Sequence, residues 1–266
     1  MADMPFTSEE ALRSFIQRYY QENGVSSAVA CCSGDESQER APGQCTCYAP
    51  EQLKSLPAEL LAGACCCGNP LKYAQLKPGE IVLDLGCGTG LDVLLAARQV
   101  QPGGVAYGVD MNEVALGRAE QYRRQLGLEN ARFLHGIIEA VPLPSESIDV
   151  IISNCVINLA PDKERVLREA YRLLKPGGRL VLADTVLEGE PPARLQREPR
   201  AWATCLTGAI SAAAYRELLA AVGFQEVVVE LASRDWGWPP FVNQEERHRL
   251  EGRWLSASIR AHKPSA

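Results

Sequence analysis

The chain has 266 residues, 46% hydrophobic and 23% charged, with a formal net charge of -6. That balance suits an ordinary globular protein and argues against a phosphate backbone as partner, so no nucleic acid is expected. The longest apolar runs, such as Val150–Ile152, are far too short to span a bilayer, and the acidic opening MADMPFTSEE has no apolar segment of the secretory kind, so no membrane partner and a cytoplasmic location are expected.

Thr7-x-x-Glu10 reads as a capping box, and Leu12, Phe15, Ile16 and Tyr19 then form one apolar stripe, which predicts a helix stopping near Gly24. Residues 31–50 are polar, rich in small residues and aperiodic, which predicts a loop carrying Cys31, Cys32, Cys45 and Cys47. A short helix is expected over Pro50–Leu61. From residue 80 apolar runs alternate with helical stretches. Strands are predicted at Ile81–Leu85, Val105–Val109, Arg132–His135, Ile148–Ser153 and Leu180–Ala183, with helices near 91–101, 112–126 and 162–174. Lys175-Pro-Gly-Gly178 marks a turn into the fifth strand. Residues 193–222 read as helical, and Val227–Val229 with Leu255–Arg260 as an antiparallel pair closing the sheet. This succession predicts an α/β fold with a doubly wound, mainly parallel sheet. The expected organisation is a helix and Cys-rich N-terminal arm over 1–70, an α/β domain over 71–187, and a small C-terminal extension of helices and closing strands over 188–266.

Ten cysteines are present, seven of them between Cys31 and Cys67. In a reducing compartment structural disulfides are rare, so soft-ligand binding or redox chemistry is the better explanation. A zinc site from Cys45 and Cys47 with Cys65–Cys67 lacks the usual Cys-x-x-Cys spacing.

Asp84-Leu-Gly-Cys-Gly-Thr-Gly90 follows the first predicted strand directly. Gly86, Gly88 and Gly90 allow a sharp turn, and the helix after it offers N–H groups and a positive dipole end to a ligand. The dinucleotide spacing fails, because Leu91 stands where the third glycine would fall. The turn instead resembles the first motif of the class I S-adenosylmethionine-dependent methyltransferases. That resemblance implies S-adenosylmethionine as cofactor, Asp84 at the head of the turn, Asp110 on the ribose hydroxyls, Met111 against the adenine, Ile138 as a backbone contact and Glu139 near the amino group. Asn154 joins them as a cofactor contact. Cys87, inside the turn, is expected to be a small packing residue.

A more selective match lies further on. SNCVINLAPDK at 153–163, LKPGG at 174–178, the Trp202-x-x-Cys205-x-x-Gly208-Ala209 run and Cys67-Gly-Asn-Pro70 resemble the arsenite S-adenosylmethionine methyltransferases. The resemblance covers nearly the whole chain from about residue 48. It implies that Cys67, Cys155 and Cys205 hold trivalent arsenic, supplied as arsenite or its glutathione conjugate. It also implies that an N-terminal cysteine forms a disulfide during turnover that thioredoxin or glutathione reduces; Cys31 or Cys32 is the expected one, with Cys45 and Cys47 as competing candidates in the same loop. Trp202 is expected to share a helix face with Cys205 and wall the arsenic from water. An arsenic lone pair needs no proton removed before it attacks a methyl group, and the three histidines (His135, His248, His262) lie outside these motifs. Two other readings stay open: a methyltransferase for another small molecule, and a non-enzymatic thiol or arsenic sensor on the same scaffold.

Overall fold

The computed structural model describes residues 5–22, 47–62, 67–232 and 238–265. Cys31, Cys32, Cys45, Cys65 and Cys66 lie outside the described residues. Five strands run parallel: β1 (Ile81–Leu85), β2 (Val105–Asp110), β3 (Ala131–His135), β4 (Ile148–Asn154) and β5 (Leu174–Leu187). The chain then forms β6 (Gln225–Ala232) and β7 (Trp254–His262). β7 inserts antiparallel between β5 and β6, giving the order β3-β2-β1-β4-β5-β7-β6. The last two strands therefore complete the same sheet, and Val229, Ala257 and Ile259 share its core.

Alternation along the central strands decides the two layers. Leu83, Leu85 and Ile151 face a core with Val166 and Leu167 of α7 (Lys163–Leu173) and Tyr215 and Leu219 of α10 (Ala212–Val222). Their neighbours Val82, Val150 and Ile152 face the other way, onto Val93 and Leu94 of α5 (Leu91–Gln99). Both faces of the sheet are covered, so β1 and β4 are buried almost continuously rather than on alternate residues. In α7 the buried set Val166, Leu167, Ala170 and Leu173 makes one stripe, and the Asp162 side chain caps the helix by accepting from Arg165 N at 3.0 Å.

The remaining helices are α1 (Glu9–Glu22), α2 (Pro50–Leu53), α3 (Ala58–Ala62), α4 (Leu71–Ala74), α6 (Glu113–Gln125), α8 (Ala193–Gln196), α9 (Pro199–Ala203) and α11 (Gln244–Leu250). The N-terminal cap differs from expectation. Ser8, not Thr7, accepts from the backbone, at Ala11 N, 3.1 Å away. The helix predicted over 50–61 is two, because Pro57 cannot continue the first. The helix predicted over 193–222 is three, interrupted before Pro199 and again around Gly208. The turn at Lys175–Gly178 is present as a bulge inside a longer β5, where the β4 partner jumps from Leu174 to Arg179. No helix among the described residues is long and apolar enough to cross a membrane.

Candidate functional site

Ligand sites in open α/β sheets lie at the carboxyl ends of the strands, and both groups of predicted residues gather there. Asp84 is the next-to-last residue of β1, Asp110 ends β2, and Asn154 ends β4 with Cys155 directly after it. A cavity of about 210 Å³ is lined by Asp84, Asp92, Asp110, Met111, Glu139 and Asn154, and it reaches Cys155 and Leu159. Gly86, Gly88 and Ile138 line it too. Gly90 does not; it is the left-handed cap of α5, at φ 90°.

The glycine turn is built differently from the anion cradle its sequence suggests. Gly86 N and Cys87 N donate to Val109 O, Gly90 N donates to Cys87 O, and Gly88 N donates to Asp110 Oδ2 at 2.8 Å. Those N–H groups are all engaged within the protein. Gly86 itself has φ 75°, and a Cβ there would meet Val156 Cγ1 at 2.4 Å, so only glycine lets the turn close on the loop after β4. Cys87 packs beside Gly108, where an added Cβ would meet its Sγ at 2.7 Å.

Three carboxylates occupy the head of the cavity. Burial pushes the Asp84 carboxyl well above its ordinary range, and the charges of Asp92 and Asp110 push it the same way. Its Oδ1 is buried and has no hydrogen-bond partner among the described residues. Burial pushes Asp92 up to about 6, against hydrogen bonds from Tyr48 and Asn154. Asp110 is held by Gly88 N and Asn112 N, both at 2.8 Å, one on each oxygen. Each of its oxygens keeps a lone pair for another donor, such as a ribose hydroxyl. A buried head with three carboxylates, and with the N–H groups of Gly86, Cys87, Gly88 and Gly90 engaged, suits a cation and repels phosphate. S-adenosylmethionine carries a sulfonium and an ammonium and no phosphate, so these residues fit it.

Helix α1 roofs this cavity through Arg13, Ile16, Gln17 and Tyr20. Arg13 pairs with Glu139 at 2.9 Å, and Gln17 Nε2 donates to Met111 O at 3.4 Å. Tyr20 Oη donates to Ala203 O at 2.8 Å, at the end of α9. Leu12 and Ile16 pack on Trp202, Met111 and Leu159. One helix thus touches both ends of the site. Periodicity identified its apolar stripe, but nothing local announced that Arg13 would meet Glu139.

The three predicted arsenic ligands come together. Cys67, Cys155 and Cys205 form one buried cluster with Leu159, and the Cys67 and Cys155 sulfurs are in bonding contact with Cα atoms 5.6 Å apart. Cys205 Sγ donates to Cys155 O at 3.2 Å. Each backbone is anchored. Cys67 N donates to Asn154 Oδ1 at 2.9 Å, and Ser256 Oγ to Cys67 O at 2.7 Å. Cys155 N donates to Ala183 O, Cys205 N to Trp202 O, and Thr185 Oγ1 to Cys205 O. Cys155 (φ 57°) and Cys205 (φ 59°) are both left-handed, a conformation non-glycine residues adopt under constraint and often at functional sites.

Leu159, rather than Trp202, is the apolar side chain against the sulfurs. Trp202 stands behind it, donating Nε1 to Leu159 O at 3.0 Å. Gly208 in the same motif allows this packing, since a Cβ there would fall 2.1 Å from Asn158 O. Beneath the cysteines lies a buried polar network that sequence reasoning missed. Asp184 accepts from Asn158 Nδ2 (2.8 Å), Thr185 N (2.8 Å) and Tyr215 Oη (3.3 Å), and a carboxylate oxygen lies within 4.8 Å of the Cys67 and Cys155 sulfurs. Burial pushes Asp184 up to about 6 and pulls Lys163 down to about 8, the charges of Asp184 and Cys205 partly offsetting the latter. Asn158 and Lys163 lie in the SNCVINLAPDK run and so carried a signal; Asp184 and Tyr215 carried none. Of the histidines, His135 is hydrogen-bonded near Met111 O and Glu113 and His248 lies near Glu251, away from the cysteine cluster.

A family model described as a methyltransferase domain matches residues 76–223. The chain is 38% identical over 244 residues to an arsenite methyltransferase of Halobacterium salinarum, covering 91% of this chain and 60% of that protein. It is 36% identical over 208 residues to an arsenite methyltransferase of Aquipseudomonas alcaligenes, covering 76% of this chain and 57% of the relative. The chain thus spans less than two thirds of either relative. Among solved structures, an arsenic(III) S-adenosylmethionine methyltransferase of Chlamydomonas reinhardtii superposes with a TM-score of 0.67 at 34% identity, over 81% of this chain and 73% of that one. With its sheet order, the acidic head of its cavity and its three clustered cysteines, the chain belongs to the methyltransferase-domain family and, within it, to the arsenite S-adenosylmethionine methyltransferases.

Proposed function

We propose that this protein transfers the methyl group of S-adenosylmethionine to thiol-bound trivalent arsenic, and so takes part in arsenic detoxification in the cytoplasm. The observation that supports it most is the meeting of Cys67, Cys155 and Cys205 at the end of the cavity whose head is acidic. Bound S-adenosylmethionine supplies an electrophilic methyl group. Asp84 and Asp92 hold its cationic end, Asp110 takes the ribose hydroxyls, and Met111, Ile138, Glu139 and Asn154 complete the contacts. The three cysteines bind arsenic as thiolates, which suits a soft centre and leaves it a lone pair. Leu159 keeps water from the sulfurs. Holding nucleophile and methyl group together is the main catalytic contribution, worth an effective molarity of ~10⁵ M or more when well aligned. The lone pair carries no proton, so no base is needed beside it.

Methylation draws the lone pair into the new carbon–arsenic bond as the methyl carbon–sulfur bond breaks and its electron pair leaves with S-adenosylhomocysteine, so that arsenic is oxidised by two electrons. Two of the three protein thiolates then return two electrons to arsenic and become a disulfide, and a free thiol such as glutathione displaces the third, so that the methylated trivalent product leaves as its thiol conjugate. Cys31 or Cys32 is the proposed N-terminal partner in that exchange, and thioredoxin or glutathione the reductant. The proposed division of labour is an arm over 1–70, a cofactor-binding unit over 71–187 and a substrate-side segment over 188–266.

The test is incubation with arsenite, labelled S-adenosylmethionine and a thiol, followed by arsenic speciation. Labelled methylarsenicals are expected; none under reducing conditions would sink the proposal, and methylation of a carbon or oxygen acceptor instead would favour another substrate. Cofactor affinity should also depend on pH. A cation needs Asp92 ionised, and with a pKa of about 6 that carboxylate is mostly protonated at pH 5. Calorimetry with S-adenosylhomocysteine should show about tenfold weaker binding at pH 5 than at pH 7, one pKa unit being a factor of about ten. Flat affinity across that range would count against the acidic head.

A further inference from the structure

One amide side chain joins the two ends of the site. Asn154 Oδ1 accepts from Cys67 N at 2.9 Å. Its Nδ2 faces Gly68 O at 3.0 Å, Tyr48 Oη at 3.0 Å and Asp92 Oδ2 at 3.2 Å. Tyr48 Oη in turn donates to Asp92 Oδ1 at 2.6 Å. These partners define the orientation of the amide: the reverse would set an NH₂ group against Cys67 N–H and the oxygen against two acceptors. Asn154 therefore holds the backbone of one cluster cysteine at one pole and a cavity carboxylate at the other. It also precedes Cys155, whose backbone is left-handed.

We propose that Asn154 is a positioning residue that couples the cofactor and arsenic sites, so that occupation of either one orders the other. The inference rests on the arsenic reading of the cysteine cluster. A cation at the acidic head keeps the Asp92 carboxylate in place, and with it the Asn154 amide. The Cys67–Gly68 backbone, bound to both poles of that amide, is then ordered before arsenic arrives. Linkage makes the effect reciprocal, and couplings of this kind are typically five-fold or more. No new contact between the two ligands is required.

The experiment is calorimetric, with arsenite and S-adenosylhomocysteine, which cannot turn over. In the reduced wild-type protein, saturating S-adenosylhomocysteine should tighten arsenite binding about five-fold or more, and arsenite should tighten S-adenosylhomocysteine by the same factor. Asn154→Ala should bind each ligand alone more weakly than wild type, having lost a cofactor contact and the anchor of Cys67 N, while the mutual factor, taken from the variant's own affinities, falls towards one. Asn154→Asp keeps the size and the acceptor for Cys67 N but sets a carboxylate against Asp92, so its factor should also fall. Thermal unfolding of both variants establishes that they are folded, and either one alone decides the matter. The coupling is overturned if wild type binds both ligands with a factor of one, or if the factor survives in a folded variant. Failure of wild type to bind arsenite at all, with S-adenosylhomocysteine still binding, is a different result: it rejects the arsenic reading and this inference with it.

Discussion

Replacing Cys155 by serine is expected to reduce arsenite methylation by ~10³-fold or more, while S-adenosylhomocysteine binding stays within a few-fold of wild type. The two halves of that result come from different parts of the site. Serine keeps the left-handed turn after β4 and the hydrogen bond from residue 155 N to Ala183 O, so the cofactor wall is unchanged. What disappears is one of three soft donors. A hydroxyl is a harder ligand that does not ionise at neutral pH, and two remaining thiolates leave arsenic less firmly placed for in-line attack. Cys87→Ser is the matched control, because that sulfur packs beside Gly108 and is not part of the cysteine cluster. Initial rates with speciation, alongside calorimetry on both variants, decide the matter. Equal losses in the two variants would mean that the cysteines matter for folding rather than for arsenic, and full activity in Cys155→Ser would remove it from the ligand set.

Asp84→Asn is expected to weaken S-adenosylmethionine binding by about ten- to a hundred-fold, the worth of a charge-assisted hydrogen bond in a buried site, and yet to raise the melting temperature of the ligand-free protein at pH 8. The sign follows from burial. Folding raises the Asp84 pKa, and that of Asp92 to about 6 from 3.8, so the native state binds protons more tightly than the unfolded chain. The stabilisation from such groups is complete below the unfolded value and is lost as pH rises through the folded one. As pH rises towards 8, ionising Asp84 sets a charge in a buried site whose Oδ1 has no hydrogen-bond partner among the described residues, a cost the amide never meets. Each kcal/mol recovered corresponds to roughly 2–4 °C for a domain of this size. The gain should shrink as pH falls towards 4, and saturating cofactor should reverse the ranking, since only the carboxylate can hold a cation. Thermal melts from pH 4 to pH 8, with and without S-adenosylhomocysteine, test both statements. A variant less stable than wild type at pH 8 would show that Asp84 serves the fold rather than the ligand.

The strands were legible because apolar runs and turn residues act over a few positions, and the five parallel strands stand within a residue or two of their expected places except β5. There the bulge at Lys175–Gly178 let pairing resume past the turn, so the strand extends from Leu174 to Leu187. The helices after residue 190 were legible in kind but not in number. Pro199 and the backbone contact at Gly208 break them, and the second of these is a contact with Asn158, fifty residues away in the chain. The cap at Ser8 rather than Thr7 is a choice between adjacent hydroxyls that only the backbone path makes.

Local pattern by itself determined the α/β class, the glycine turn with its flanking Asp84 and Asp110, and the types of residue that suit a soft substrate. Those features depend on neighbours within one strand, turn or helix. The tertiary structure alone decided that β7 would enter between β5 and β6 and bring Ser256 onto Cys67, that Cys67 would cross 88 positions to meet Cys155, and that the turn's N–H groups would serve Asp110 and Val109 rather than a phosphate. It also placed Asn154 between Cys67 and Asp92, and Asp184 beneath the sulfurs. Each of these joins side chains that no period relates. Strand order and two left-handed cysteines bring them together, and both are properties of the packed chain rather than of any segment.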